Sequence, residues 1–174
     1  MSTGRVRAVS GRKGGCMSFY RTPLETAKSG AGCMLMCRRT GRFLYCLRPD
    51  GAPSGGTWSL WGGKSERGEN SRQTAVREVM EETGYRHEGQ IFHLLNMKSR
   101  TFEYDTFLMV VEEEFAPRES SECQGHVWVP LEDTPRPMHW GLQNLLSDRT
   151  AASILVKSVE GESGRPCAFV PLAG

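Results

Sequence analysis

The reading of this chain turns on one stretch: Gly62-Gly63-Lys64-Ser65-Glu66-Arg67-Gly68-Glu69-Asn70-Ser71-Arg72-Gln73-Thr74-Ala75-Val76-Arg77-Glu78-Val79-Met80-Glu81-Glu82-Thr83-Gly84-Tyr85. It reads as a glycine loop, then a helix, then a glycine stop. Ala75, Val76, Val79 and Met80 recur at the i, i+3, i+4 spacing of an amphipathic helix, and Gly84 falls where a C-terminal glycine ends one. At a helical advance of 100° per residue, Ala75, Val79, Thr83, Val76 and Met80 share about 140° of arc. Arg77, Glu78, Glu81 and Glu82 fill the other side. The expectation is one packing face and one charged face.

Three of those charges are carboxylates. Glu78 and Glu82 are four residues apart and stand nearly one above the other, with Glu81 on their flank. Like charges at this spacing repel by a few tenths of a kcal/mol (~0.2–0.5) in an isolated helix, and more where water is partly excluded. Arg77 offsets part of the repulsion. A hard divalent cation that takes oxygen ligands is the stronger remedy, and Mg²⁺, or Mn²⁺ as its substitute, suits carboxylates that also keep waters. A solvated acidic face is the common explanation of a Glu-Glu pair. It leaves the fixed punctuation around the pair, Gly63, Glu69 and Gly84, without a reason.

Gly63, five residues, Glu69, seven residues, then Arg77-Glu78-Val79-Met80-Glu81-Glu82-Thr83-Gly84-Tyr85 resembles the complete signature of the Nudix hydrolase family, with every fixed position filled. The resemblance implies an α/β fold: a mixed β-sheet in an α/β/α sandwich, as a single domain. It also implies cleavage of a diphosphate linkage in a nucleoside diphosphate joined to another group. That class spans nucleoside triphosphates, dinucleoside polyphosphates, nucleotide sugars and the 5′ end of RNA. Glu78 and Glu82 are then direct metal ligands, helped by a backbone carbonyl at Gly62 or Gly63, and Glu81 is a further ligand or a base. Glu69 and Arg77 pair to hold the loop against the helix, and Gly84 closes it. Glu122, six residues before Trp128, matches a loop position where many relatives carry another acidic residue; it is a candidate ligand or general base, with Glu119 as its competitor. Tyr104 stands near a tyrosine of dinucleoside polyphosphate hydrolases, at an inexact offset. Trp61 stands where relatives usually have proline, which loosens any substrate assignment based on that turn.

Outward from this stretch, Ala31 to Arg39 and Phe43 to Arg48 are apolar runs around Thr40-Gly41-Arg42 and read as a β-hairpin. Pro49 to Thr57, rich in glycine and proline, reads as a loop, placed to touch substrate. Trp58-Ser59-Leu60-Trp61 reads as one short strand into the glycines. Trp58 and Trp61 are candidate base-stacking residues, and Lys64 a candidate phosphate contact. Gln90 to Met97, Phe102 to Val111 and His126 to Leu131 have strand character. Glu112-Glu113-Glu114 reads as a solvated strand end, and Met138 to Leu146 as a short packing helix in which His139 is structural.

The 174 residues suit one domain, with the core expected over 27–149, a basic arm over 1–26 and a C-terminal extension over 150–174 that adds a strand or an arm. The arm is basic but lacks interleaved aromatics, so it reads as an incidental leader more than a nucleic-acid tail. A net charge of +2 demands neither nucleic acid nor membrane. No run of eighteen apolar residues and no signal-peptide segment is present, so the expected setting is cytoplasmic and reducing. The six cysteines, Cys16, Cys33, Cys37, Cys46, Cys123 and Cys167, lack zinc-type pairing. Cys33, Cys37 and Cys46 read as small buried hydrophobes.

Two other classes compete. A catalytically silent module of this fold, binding a nucleotide or a protein, would be expected to have lost some of the glutamates, and all are present. A prenyl diphosphate isomerase of the same fold needs a catalytic cysteine, and no cysteine here has a context that singles it out.

Overall fold

The apolar run after Ala27 is a ten-residue strand, β1 (Lys28–Cys37), buried on both faces from Gly30 onward. In this computed structural model, which describes residues 28–162, β1 is the centre of a seven-stranded mixed sheet. One edge of β1 runs parallel to β6 (Phe102–Val111) over its full length, from Lys28 opposite Phe102 to Cys37 opposite Val111. β5 (Ile91–Lys98) lies antiparallel on the far side of β6. Burial on both faces explains why β1 reads as a continuous apolar run with no polar alternation.

The other edge of β1 is shared between two partners. Leu35 and Met36 pair with β2 (Phe43–Leu47) across the hairpin at Thr40-Gly41, where Gly41 takes a φ of 67°. Nearer its start, Gly30 to Cys33 pair with β4 (Trp61–Lys64), while Cys46 and Leu47 of β2 pair with β3 (Trp58–Ser59). The segment expected as one strand is therefore two. β1 and β2 diverge, and the chain fills the wedge by changing partner at Leu60. Gly62 and Gly63, expected in a loop, lie within β4. The loop proper begins after Lys64. β7 (Gly125–Val129) pairs along the outer edge of β2.

Alternation along β1 builds the layers. Ala31, Cys33, Leu35 and Cys37 face α1 (Ser71–Thr83), meeting Ala75 and Val79. Met34 and Met36 face α2 (Trp140–Ser147) and α3 (Arg149–Glu162), meeting Leu142, Leu145, Ala151 and Leu155. The result is helix, sheet, helix. α3 occupies a region expected as strand or arm. Ser153-Ile154-Leu155-Val156 looked strand-like because it is locally apolar, but only Leu155 of the four is fully buried, with Ala151 one turn earlier. The arm expected over 1–26 and the run Cys167–Val170 lie outside the described residues.

Both ends of α1 are closed by its own sequence. Asn70 Oδ1 accepts from the Gln73 amide at 2.9 Å, and Gln73 Oε1 accepts from the Asn70 amide at 3.0 Å. Gly84, at φ 78°, donates its amide to the Met80 carbonyl. The packing face differs from expectation. Met80 is 43% exposed, while Glu78 is buried beside Thr74, Ala75, Val79 and Thr83. Glu112, Glu113 and Glu114 pair at the surface with Arg38, Arg39 and Arg42. No helix among the described residues is long and apolar enough to cross a membrane.

Candidate functional site

α1 lies across β4, so its inward carboxylates meet the glycine backbone. Gly63 lies against Glu78: a Cβ added there would come within 2.6 Å of Glu78 Oε1 and 2.7 Å of Oε2. Gly62, at φ 153°, donates its amide to Glu82 Oε2 at 2.9 Å. The two glycines thus bring the backbone within contact distance of two carboxylates. Glu81 is half exposed at the rim of the same group.

Arg77 holds this cluster from the side. Its Nε donates to Glu69 Oε1 at 2.7 Å and its Nη2 to Glu69 Oε2 at 3.1 Å. Nη2 also reaches the Lys64 carbonyl, and Nη1 donates to Glu78 Oε1 and Glu81 Oε2, each at 2.9 Å. One guanidinium therefore ties the end of β4, the loop and two positions of α1 together. Its fork geometry permits this where a lysine's does not. The hydrogen bonds from Arg77, followed by the Glu66 amide, hold the Glu69 carboxyl down at about 2.

Glu82 is in a different electrostatic state. Burial, then the nearby charges of Glu78 and Glu122, push it up to about 9 against the single pull of the Gly62 amide. Burial likewise raises Glu78, partly offset by Arg77. Glu122 reaches this group from the loop before β7 and lines the same cavity as Glu82. Glu119, its competitor, is exposed and does not line the cleft. Among the described residues no three His, Cys, Asp or Glu side chains form a ready-made metal cluster. The carboxylates facing the cleft are nevertheless hard oxygen donors, and burial followed by neighbouring carboxylates raises the proton affinity of Glu82, as burial does for Glu78. A divalent cation fits that chemistry.

The cleft is an 860 Å³ cavity. Glu78, Glu81, Glu82 and Glu122 line it together with Gly62 and Gly63, and Lys28, Arg48 and Lys64 supply positive charge. Pro49, Gly51 and Ala52 of the expected substrate loop also face it. Tyr104 crosses beneath, packed so closely that a Cβ on Gly32 would meet its hydroxyl at 2.5 Å; burial raises its pKa.

The two tryptophans chosen from sequence are not in the cleft. Trp61 is fully buried between the sheet and α1, with its indole N–H donating to the Leu44 carbonyl at 3.3 Å. Side chains alternate along β4, so the residue preceding the glycine pair points into the α1 core, and here that space takes an indole. Trp58 is half buried, packs on the opposite face and lines neither cavity next to the carboxylates. The aromatic residues that do border the site are Phe102, Tyr104 and Trp140. Trp140, expected to pack, is 48% exposed.

The NUDIX domain profile matches residues 26–148, more than half the chain. The chain belongs to the Nudix hydrolase family. Solved structures of the same fold include a MutT NUDIX hydrolase from Burkholderia pseudomallei. It is 25% identical over 69% of this chain and 95% of that one, with a TM-score of 0.55. The NUDIX domain of Shewanella oneidensis NrtR complexed with ADP ribose superposes with a TM-score of 0.60, at 18% identity over 75% and 88% of the two chains. A C. elegans Ap4A hydrolase binary complex gives 0.54, at 22% identity over 74% and 93%. This Nudix chain is an enzyme of the class that hydrolyses phosphoric anhydride bonds. The signature was legible because its residues are contiguous. Phe102 and Trp140 were missed because they come together only through the sheet and the start of α2.

Proposed function

We propose that the chain is a Mg²⁺-dependent pyrophosphohydrolase that cleaves the diphosphate of a nucleoside diphosphate linked to another group. The observation that carries this is the pairing of carboxylates and cationic side chains in one cleft. Glu78, Glu82 and Glu122 line one cavity with Gly62 and Gly63, and so do Lys28, Arg48 and Lys64. A diphosphate bridge carries anionic oxygens that repel a nucleophile, so its hydrolysis needs positive charge beside the bridge and an activated water.

Glu78 and Glu82, with a carbonyl of Gly62 or Gly63, would hold Mg²⁺ or, in its place, Mn²⁺. The ion supplies charge neutralisation and lowers the pKa of a bound water. Glu122, close to Glu82 and open to solvent, would take the proton from the attacking water, and Glu81 is the second candidate for that task. Arg77 and Glu69 orient the carboxylates without touching the substrate. Lys28, Lys64 and Arg48 would receive phosphate oxygens, and Tyr104 would support the floor. The fold accepts a ligand of this size in the Shewanella domain that binds ADP ribose.

The test offers the full chain, with Mg²⁺, a panel of nucleoside triphosphates, dinucleoside polyphosphates, nucleotide sugars, ADP ribose and 5′-triphosphate RNA, with Glu82→Gln in parallel. Phosphate, pyrophosphate or nucleoside monophosphate should appear from at least one compound, at a rate about 100-fold or more lower in the variant. No turnover anywhere on the panel, with tight nucleotide binding retained, would establish the silent binding module in its place.

A further inference from the structure

Beside the carboxylate cleft lies a second cavity of 220 Å³ whose lining is aromatic and apolar. The two share Arg48, Ser59, Leu60, Gly62, Phe102 and Tyr104, so they are compartments of one site joined at Arg48. The second contains no carboxylate. Phe102 stacks on Tyr104 at 5.9 Å between ring centroids and 13° between planes, and Trp140 meets Phe102 edge-on at 6.1 Å and 64°. Trp140 stays 48% exposed at the first position of α2, although Leu142 and Leu145 of the same helix are fully buried. A large apolar side chain left open at the rim of a cavity is poorly explained by packing alone.

Two donors of this compartment, His139 and Arg48, are held by hydrogen bonds of their own. His139 caps α2 by accepting the Gly141 amide at Nδ1, 3.2 Å, which leaves Nε2 as the protonated nitrogen of the neutral ring and hence a donor. Burial and the charge of Arg48 both favour that neutral form. Arg48 is anchored through Nε to the Pro53 carbonyl at 3.1 Å, so its guanidinium is tethered at the junction of the compartments. A largely apolar lining, a half-exposed indole and two tethered donors suit a flat, heteroaromatic ring.

We propose that Phe102 and Trp140 form the nucleobase-binding subsite, with Arg48 receiving the phosphate that joins the base compartment to the carboxylate cleft. The base stacks on the indole, its edge meets Phe102 and the His139 Nε2–H, and the diphosphate extends past Gly62 toward Glu82. This assignment rests on the hydrolase reading above and names the residues of this chain that would hold and discriminate the base. Trp140 and Phe102 are specificity determinants, remote from the reacting atoms.

The test uses the full chain with divalent metal chelated, so that binding is measured without turnover. The probes are AMP, GMP, CMP and UMP against ribose 5-phosphate, titrated calorimetrically. At least one nucleoside monophosphate should bind about tenfold or more tighter than ribose 5-phosphate, as base stacking on an aromatic side chain provides. That preference should collapse in Trp140→Ala and in the milder Phe102→Leu, with melting temperatures checked for both. Arg48→Ala should weaken all probes alike. Ribose 5-phosphate binding as tightly as every nucleotide, or a preference unchanged in Trp140→Ala, overturns the subsite. Hydrolysis in Mg²⁺ whose KM is also unchanged in Trp140→Ala would overturn the subsite while leaving the hydrolase intact. Base-selective binding that depends on Trp140, in a chain that hydrolyses nothing, would uphold the subsite and refute the hydrolase.

Discussion

The Gly62 amide donates to Glu82 Oε2 at 2.9 Å, joining the second residue of β4 to the last turn of α1. It is a single hydrogen bond to a carboxyl that burial and two neighbouring glutamates push up to about 9. In metal-free protein the folded chain therefore keeps a proton on Glu82 over a pH range in which the unfolded chain has lost it. A raised carboxyl contributes stability that is present below its unfolded value of 4.5 and is lost as pH rises toward 9. Melting temperature in chelator should fall between pH 6 and 9, more steeply than in Glu82→Gln. Mg²⁺ should restore most of the loss at pH 9. Parallel curves for the two proteins in chelator would remove Glu82 as the source.

Arg77 spends its guanidinium on Glu69, Glu78, Glu81 and the Lys64 carbonyl at once. Lysine preserves the charge but cannot reproduce the fork. Arg77→Lys should lower kcat or metal affinity by about 10- to 100-fold, the usual cost of losing a residue that orients ligands. Assays across a Mg²⁺ titration would separate the two effects. Wild-type rates at all metal concentrations would show that Glu69 and Glu78 hold their places unaided.

Gly63 has no room for a methyl group, because Glu78 occupies the space. Gly63→Ala should fold, at a cost of about 1–3 kcal/mol for overpacking, because β4 stays paired with β1. It should lose nearly all hydrolysis as Glu78 is displaced. Full activity with an unchanged denaturation midpoint would mean that the carboxylate is free to move aside.

The site was legible to the extent that it is local. Asn70, Gln73 and Gly84 state both ends of α1, and Glu69 to Glu82 lie within four turns of chain, so spacing alone brings them together. Strands β1, β2, β5 and β6 also followed from apolar runs. What failed did so for identifiable reasons. Periodicity assigned Glu78 and Met80 to the wrong sides because a carboxylate held by Arg77 can occupy a buried position that hydrophobicity reserves for methionine. The change of sheet partner at Leu60 depends on the splay between β1 and β2, a long-range property. Trp61 is buried and Trp140 exposed, the reverse of expectation, for the same reason: which tryptophan is buried is decided by layers that meet only in the fold.

α3 provides a last test, of the scaffold without the chemistry. Ala151 and Leu155 are fully buried against the layer that contains Met34, Phe43, Leu142 and Leu145, on the face of the sheet opposite α1. Leu155→Ala removes a buried side chain and leaves a cavity, with an expected loss of about 2–5 kcal/mol. Leu155 lines neither compartment of the site, so kcat at a temperature where the variant is folded should match the wild type. Chemical denaturation measures the first quantity and steady-state kinetics the second. An unchanged denaturation midpoint would mean that α3 rests on the domain without stabilising it. A fall in kcat with the fold intact would mean that the α2–α3 layer controls the position of Trp140 and, through it, the base compartment.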